Sequence, residues 1–422
     1  MEYAAYDKYR PSRFEKNLTI PTDWREKRLK FIASHNDQTL SEKTDPDYVI
    51  EYVDISSVNL VSGITQTETL SFDKAPSRAR RIVQDGDSIV STVRTYLKAI
   101  ATIKNPPDNM VVSTGFAVIR PKEEICKSYL SYFLQSQGFV NSVVAHSFGV
   151  SYPAINASDL VCLPVSFPVI VNEQQKIATF LDNKTQQIDQ LIKKKKSLVE
   201  KLNEQRIAVI TQAVTKGLDK NVKMKPSGAE WLGDVPEHWE VRRLKFMATI
   251  QNGRDYKDVE TEDIDGYAVY GSGGAFKMAT EYLHNGESVL FGRKGTIDKP
   301  MYVNEKFWTV DTMFYTKIHE DISPKFLFYS ALTVQYQYLA TQTALPSITQ
   351  KDLEDYILCC PNLKEQIDIV EFIEEKTLHI DAMFNVNNKT IEKLEEYRFA
   401  IISDAVTGKI DVRNIELIKD VG

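Results

Sequence analysis

The sequence predicts an α+β protein built as a pseudo-two-fold tandem repeat, with two variable domains separated by two long helices that pair as an antiparallel coiled coil. Three observations predict this. A motif near residue 20 returns 215 residues later, a 47-residue helical segment returns 192 residues later, and the stretches between the matches diverge.

A repeat, once found, decides the architecture. Residues 20–34 read IPTDWREKRLKFIAS and residues 235–249 read VPEHWEVRRLKFMAT, and Pro11-Ser12 and Pro226-Ser227 extend the match upstream. Residues 173–219 align without gaps on 365–411, with 19 of 47 pairs identical. Those pairs include Phe180 with Phe372, Ile188-Asp189 with Ile380-Asp381, and Arg206 with Arg398. Just upstream, Pro153, Ile155 and Asp159-Leu160 return as Pro346, Ile348 and Asp352-Leu353. A shared scaffold with different inserts suggests one architecture reading two different things. The expected segments are 1–171 (first variable domain), 172–220 (central helix), 221–364 (second variable domain) and 365–422 (second helix and tail).

The shared segments read as helices. Asn172 is placed to cap the first, with Glu173 in its opening turn. A heptad runs through Leu181, Ile188, Leu202 and Val209 at a, with Leu191 and Leu198 at d. The second helix repeats it with Ile373, Ile380, Leu394 and Ile401 at a and Met383 at d. No Gly or Pro interrupts either run before Gly217 and Gly408. A helix of roughly 42 residues is about 60 Å long, and a lone one with such a stripe needs a partner. The central a positions are Lys195 and Asn387, which an antiparallel pair brings face to face. Buried polar a residues fix register at a cost in stability. The alternative for Lys195 is one of four solvated lysines at 193–196.

The variable stretches read as α+β. Gly86–Val90 and Gly286–Leu290 each read as a turn followed by a strand, Phe116–Ile119 and Met313–Ile318 as later strands, and Tyr129–Leu134 and Phe326–Leu332 as short helices.

Composition narrows the class. The chain has 422 residues, 42% hydrophobic and 26% charged, as in a soluble globular protein of two to four domains. The longest apolar stretch, 161–171, is broken by Pro164 and Pro168 and is too short to span a bilayer. The N-terminus lacks the basic patch and apolar run of a signal peptide, so a cytoplasmic protein with no membrane partner is expected. The cysteines at 126, 162, 359 and 360 form no CxxC, and the six histidines form no HExxH. A structural metal is therefore not expected, and Cys359-Cys360 read as buried free thiols. The net charge of −6 argues against a chain that coats nucleic acid non-specifically. Local basic surface is present all the same: residues 78–104 hold six basic side chains against two acidic ones.

The motifs carry a resemblance. The WxxxRLKF opening of each half, the EQxxI…FxxxKTxxID helix start and the ExLxExRxAII…AVTGKID helix end are similar to those of the specificity subunits of Type I restriction-modification enzymes, over nearly the full length. The first half departs slightly, with Lys216-Gly217-Leu218 where the second has Gly408-Lys409-Ile410. The resemblance implies that each variable stretch is a target-recognition domain taking one half of a split site on double-stranded DNA, with the helices as a ruler for the unread spacer. It also implies two methyltransferase (M) subunits that methylate adenine with S-adenosylmethionine. Restriction (R) subunits that cut DNA with ATP and Mg are implied as well. This chain itself is expected to hold no cofactor and to catalyse nothing.

Candidate DNA-binding residues follow from the motifs and the resemblance together. In the first domain they are Ser91, Thr92, Arg94, Tyr96 and Lys98, whose hydroxyls and cations suit phosphates and base edges, with His146 further along. In the second they are Tyr270 and Ser272 in a glycine-rich block, Arg293, Lys294 and Thr296 in Gly292–Thr296, and Gln342 and Thr343. Arginine is suited to bidentate contact with guanine. The alternative for 293–296 is a solvated hairpin tip. Gly271–Gly274 lacks the GK[ST] ending of a phosphate loop. Asn105-Pro106-Pro107-Asp108 is similar to the methyltransferase motif ending in Tyr or Phe, but Asp108 cannot stack on a flipped base, so a proline turn is expected. Trp24 and Trp239 are expected to pack each domain base onto the helices. A self-contained methyltransferase and a scaffold without DNA specificity are the competing readings; the first wants a cofactor loop, and the second wants matching inserts.

Overall fold

Short runs of valine, isoleucine and aromatic residues, punctuated by turn residues, become strands in both variable stretches. The computed structural model describes residues 3–15, 18–149, 152–341, 343 and 345–415. The chain divides into two units: residues up to Lys194 with those from Thr390 onward, and Lys195–Lys389. The long helices are therefore not separate bodies, as the expected segmentation treats them. Each contributes one half to each unit.

In the first unit two four-stranded sheets enclose a core. One has the order Ile100–Thr102, Ser88–Ser91, Phe116–Pro121, Ala33–His35, all antiparallel. The other has the order Glu68–Ser71, Val49–Val53, Met110–Ser113, Ala79–Ile82, with its central pair parallel. Ile89, Phe116 and Val118 from the first meet Val53, Met110 and Val112 from the second. The second unit instead has one seven-stranded sheet. Its order is Ala248–Asn252, Met313–Ile318, His284–Gly292, Met301–Thr309, Tyr267–Gly271, Gly274–Ala279, Glu260–Thr261. The strand expected from Gly286 starts earlier, at His284, and Gly286 lies inside it opposite Glu305. The expected short helices are present as Lys127–Gln135 and Pro324–Ala331, the latter capped by Ser323.

Each unit stands on the same base. Strand Trp24–Arg28 pairs with Pro164–Pro168, and Glu240–Arg243 pairs with Ile357–Cys360. The Trp24 indole donates to Glu173 Oε1 at 3.3 Å, and the Trp239 indole donates to Glu365 Oε1 at 2.8 Å. Both indoles are buried. The next residue in each helix, Gln174 or Gln366, is fully buried and ties two backbone segments to the helix start through three hydrogen bonds. Gln174 accepts from the Cys126 amide and donates to the Pro168 and Glu124 carbonyls. Gln366 accepts from the Ser323 amide and donates to the Pro361 and Asp321 carbonyls.

The long helices span Val171–Lys216 and Leu363–Val406, 46 and 44 residues, which at 1.5 Å per residue is about 70 Å and 66 Å. The first begins before Asn172, which lies in its opening turn rather than capping it. Both end at a glycine in the left-handed region, Gly217 and Gly408, as helix C-termini commonly do. Within the first unit Arg398 grips Asp189 through Nε (2.9 Å) and Nη2 (3.3 Å). Within the second, Arg206 Nε reaches Asp381 at 2.9 Å. These are the identical pairs of the sequence repeat, each joining the two long helices.

The expected heptad is half right. Leu181, Ile188, Leu202, Ile373, Ile380, Asn387 and Ile401 are buried, and Lys195, Leu198 and Leu394 are half-buried. Leu191 and Met383 are instead exposed, at 41% and 47%, and the row next to the a positions has Thr185 and Ile192 buried and Val199 half-buried, with Thr377 and Ile391 buried in the second helix. The row lies at i+4, not i+3. Two of its members are threonines, which a polarity pattern discards. Their hydroxyls bond the Leu181 and Ile373 carbonyls at 2.7 and 2.8 Å, so burial leaves them satisfied.

Candidate nucleic-acid interface

In the first unit, strand Ser88–Ser91 is buried along its length and delivers a loop at its end. That loop is tied to two neighbours. Thr92 donates its amide and hydroxyl to the Gly115 carbonyl at 2.8 and 2.9 Å, and its own carbonyl accepts the Ile155 amide at 2.9 Å. Val93 bridges Ala154, and Thr95 Oγ1 lies 2.9 Å from Ser147 Oγ. A short 3-10 turn, Thr95–Leu97, is bracketed by Arg94 and Lys98, both left-handed (φ 48° and 53°). Local folding thus brings the sequence-predicted 91–98 residues against His146 and the Tyr152–Ile155 segment.

Not all of them can reach a ligand. Ser91 is 3% exposed and donates its hydroxyl to the Val93 carbonyl at 2.6 Å, so it anchors the loop instead of presenting a contact. Thr92 is half-buried in the same supporting place. Arg94 is exposed, with its guanidinium 5.0 Å over the Tyr152 ring. Tyr96 is exposed, Lys98 is half-buried, and His146 is exposed with Nδ1 2.8 Å from the Ser142 carbonyl. Of the neighbouring arginines, Arg78 binds Asp54 and the Tyr52 hydroxyl, and Arg80 lies over Phe72.

The second unit forms the same hub from different residues. After strand His284–Gly292, the Arg293 amide donates to the Thr312 carbonyl, Gly295 donates to Pro346, and Ile348 donates back to Arg293. Lys294 bridges Ser347. The block is therefore zipped onto 345–348 and is not a free hairpin tip. Arg293 is half-buried, and Lys294 and Thr296 are exposed. Thr343 is exposed, with Oγ1 donating to the Leu345 carbonyl at 2.8 Å. Gln342 lies outside the described residues. Tyr270 joins through the Thr309–Thr312 segment, because Val310 donates to its carbonyl. Burial, then its 2.5 Å hydrogen bond to Glu305, pushes the Tyr270 hydroxyl up to about 12. It is a neutral donor at neutral pH. Ser272 lies in the turn of the Tyr267–Gly271 and Gly274–Ala279 hairpin.

Sequence reasoning missed Arg254. Its amide donates to the Thr309 carbonyl, its carbonyl accepts the Trp308 indole, and the residue is exposed beside the same segment. Its signal was the preceding Asn252-Gly253: a Cβ at Gly253 would lie 2.0 Å from the Val310 carbonyl oxygen, so only glycine allows that approach.

Asn105–Asp108 forms a turn leading into strand Met110–Ser113, held by the Asn105 amide on Asp85 and the Met110 amide on Pro107. Cys359 and Cys360 are buried in strand Ile357–Cys360, and burial pushes the Cys359 thiol up to about 12. Among the described residues no helix is long and apolar enough to cross a membrane.

A base, a helix start and a strand-end loop hub thus recur in both units on divergent sheets. A family model described as the Type I restriction modification DNA specificity domain matches residues 21–201 and 236–396, and the chain belongs to that family, the specificity subunits of type I restriction-modification enzymes. The MjaIX specificity subunit of Methanocaldococcus jannaschii is 24% identical over 441 residues, covering 94% of this chain and 95% of its own. The EcoKI specificity subunit of Escherichia coli K12 is 20% identical over 325 residues, covering 69% of this chain and 68% of its own. A chain from a solved structure on complex assembly and conformational transition of the type I R-M system superposes with a TM-score of 0.71 at 20% identity. It covers 93% of this chain and 99% of that one, and supports the fold alone.

Proposed function

We propose that the chain reads a bipartite target on double-stranded DNA, one half through each unit, and thereby directs adenine methylation and DNA cleavage by partner subunits. The observation that carries this reading is the repeated hub. In both units a strand-end loop is zipped onto a Pro-x-Ile segment and offers cations and hydroxyls, while the sequence presented differs. Such a surface suits phosphate positioning combined with base-edge contact. The contacting set is Arg94, Tyr96, Lys98 and His146 in the first unit, and Tyr270, Ser272, Arg293, Lys294, Thr296 and Thr343 in the second, with Arg254 added.

The long helices act as an antiparallel coiled coil that fixes the unread spacer; the Asp189–Arg398 and Arg206–Asp381 pairs support this. One methyltransferase subunit per repeat, hence two per chain, is expected, with restriction subunits joining them. S-adenosylmethionine, ATP and Mg belong to those partners, and this chain is a non-catalytic subunit working in the cytoplasm. Mapping methylated adenines in host DNA tests the proposal. Two short half-sites at one constant separation are expected, and a single uninterrupted target would reject it.

A further inference from the structure

Each unit exposes an apolar side chain at the same repeat position, and packing does not account for either. Tyr152, just before Pro153, is 67% exposed, and Leu345, just before Pro346, is 61% exposed. Phe148, whose backbone pairs with Ala154, is 76% exposed beside the first. Ordinary folding leaves single apolar residues outside. Here, however, both stand on the segment zipped to the reading loop.

The zippers align the two hubs. Ile155 donates to the Thr92 carbonyl and Ile348 to the Arg293 carbonyl, so Thr92 corresponds to Arg293 and Arg94 to Gly295. Both members of the last pair are left-handed, Arg94 at φ 48° and Gly295 at φ 82°. Glycine adopts that conformation freely, whereas an arginine is strained there. The first unit keeps the arginine, and its guanidinium lies over the Tyr152 ring. In the second unit a Cβ on Gly295 would lie 3.8 Å from Leu345 Cδ1. In each unit, then, the apolar residue lies beside this one loop position.

The surroundings specify the occupant. Residues 91–98, 144–155, 292–296 and 341–348 contain no aspartate or glutamate, while Arg94, Lys98, Arg293 and Lys294 are among them. Apolar tips rimmed by cations and hydroxyls, with no carboxylate in these segments, complement a polyanion with an apolar interior, which is the base stack inside its phosphates. We propose that Tyr152 and Leu345 are base-contacting wedges, each pressing into the stacked bases of the half-site its unit reads, with Arg94 positioning the Tyr152 ring. This deepens the DNA-reading proposal and rests on it.

The test uses the full chain assembled with its methyltransferase partner. The probe is a duplex carrying the site mapped from host methylation, with 2-aminopurine placed in one half or the other. The wild-type complex is expected to brighten the probe in both halves. Tyr152→Ala should abolish brightening in one half and weaken binding roughly 10–100-fold, Leu345→Ala should do so in the other half, and Tyr152→Phe should retain both signals. Thermal unfolding should be unchanged, since both side chains are exposed. Unchanged affinity and fluorescence in both alanine variants overturns the wedge, as does loss of methyltransferase assembly in place of DNA binding. Failure of the wild-type complex to prefer the mapped duplex over a scrambled one rejects the underlying DNA-reading proposal instead.

Discussion

Gln174 shows how much one side chain can hold. It satisfies an amide and two carbonyls from two segments of the first unit's base, 124–126 and the end of strand Pro164–Pro168, and it is fully buried. Gln174→Leu removes the acceptor for the Cys126 amide and the donor for the two carbonyls, and the buried groups left behind carry a desolvation penalty. A loss of about 3 kcal/mol is expected, from about 1–3 kcal/mol per stranded group with partial relaxation, read from urea unfolding. A loss below about 1 kcal/mol would mean water replaces the amide. The Glu-Gln pair was visible in the repeat, but the role of its glutamine was not, because the partners of Gln174 are backbone groups 6, 48 and 50 residues away. Arg94 is similar. Its residue type suggested DNA contact, while its left-handed backbone depends on the Tyr152–Ile155 segment, which no local pattern reveals.

At the scale of elements, the two salt-bridged arginines occupy equivalent repeat positions in unequal settings. The Arg398 side chain is 7% exposed and holds Asp189 through two nitrogens, whereas Arg206 is 29% exposed and holds Asp381 through one. Nη1 of Arg398 has no hydrogen-bond partner among the described residues, which offsets part of the gain. Arg398→Ala should still cost about 2 kcal/mol, because a packed and desolvated side chain leaves. Arg206→Ala should cost less than about 1 kcal/mol. Equal shifts in thermal unfolding would contradict this difference. Helix identity and extent were legible because uninterrupted 3.6-residue periodicity over more than ten turns is hard to mimic. The exact stripe was less so, since Thr185 and Thr377 are buried with their hydroxyls bonded within their own helix. The sheets were legible only as scattered strands, because the order of strands depends on long-range pairing such as Val49–Val53 beside Met110–Ser113.

For the whole molecule, the proposed spacer makes helix length a determinant of specificity. Excising one heptad within residues 184–204 should abolish recognition of the original half-site separation while leaving each half-site sequence intact. Methylation mapping in cells carrying the shortened chain reads this directly, and an unaltered separation would reject the ruler. The repeat made the two-part organisation legible from sequence. The composition of each unit was not, because the sequence pattern placed boundaries at helix ends while the units divide midway along both helices, near Lys194 and Thr390.

That division sets an order of birth on the ribosome. The second unit is one continuous stretch and can close as soon as Lys389 has emerged. The first must wait, with Asp189 and the buried Tyr129 lacking their partners Arg398 and the Val406 carbonyl, until the chain from Thr390 onward is made. Partly synthesised chains therefore carry an unfinished apolar face at the end made first, and a premature stop near residue 390 would leave a nascent product prone to clumping and to chaperone capture.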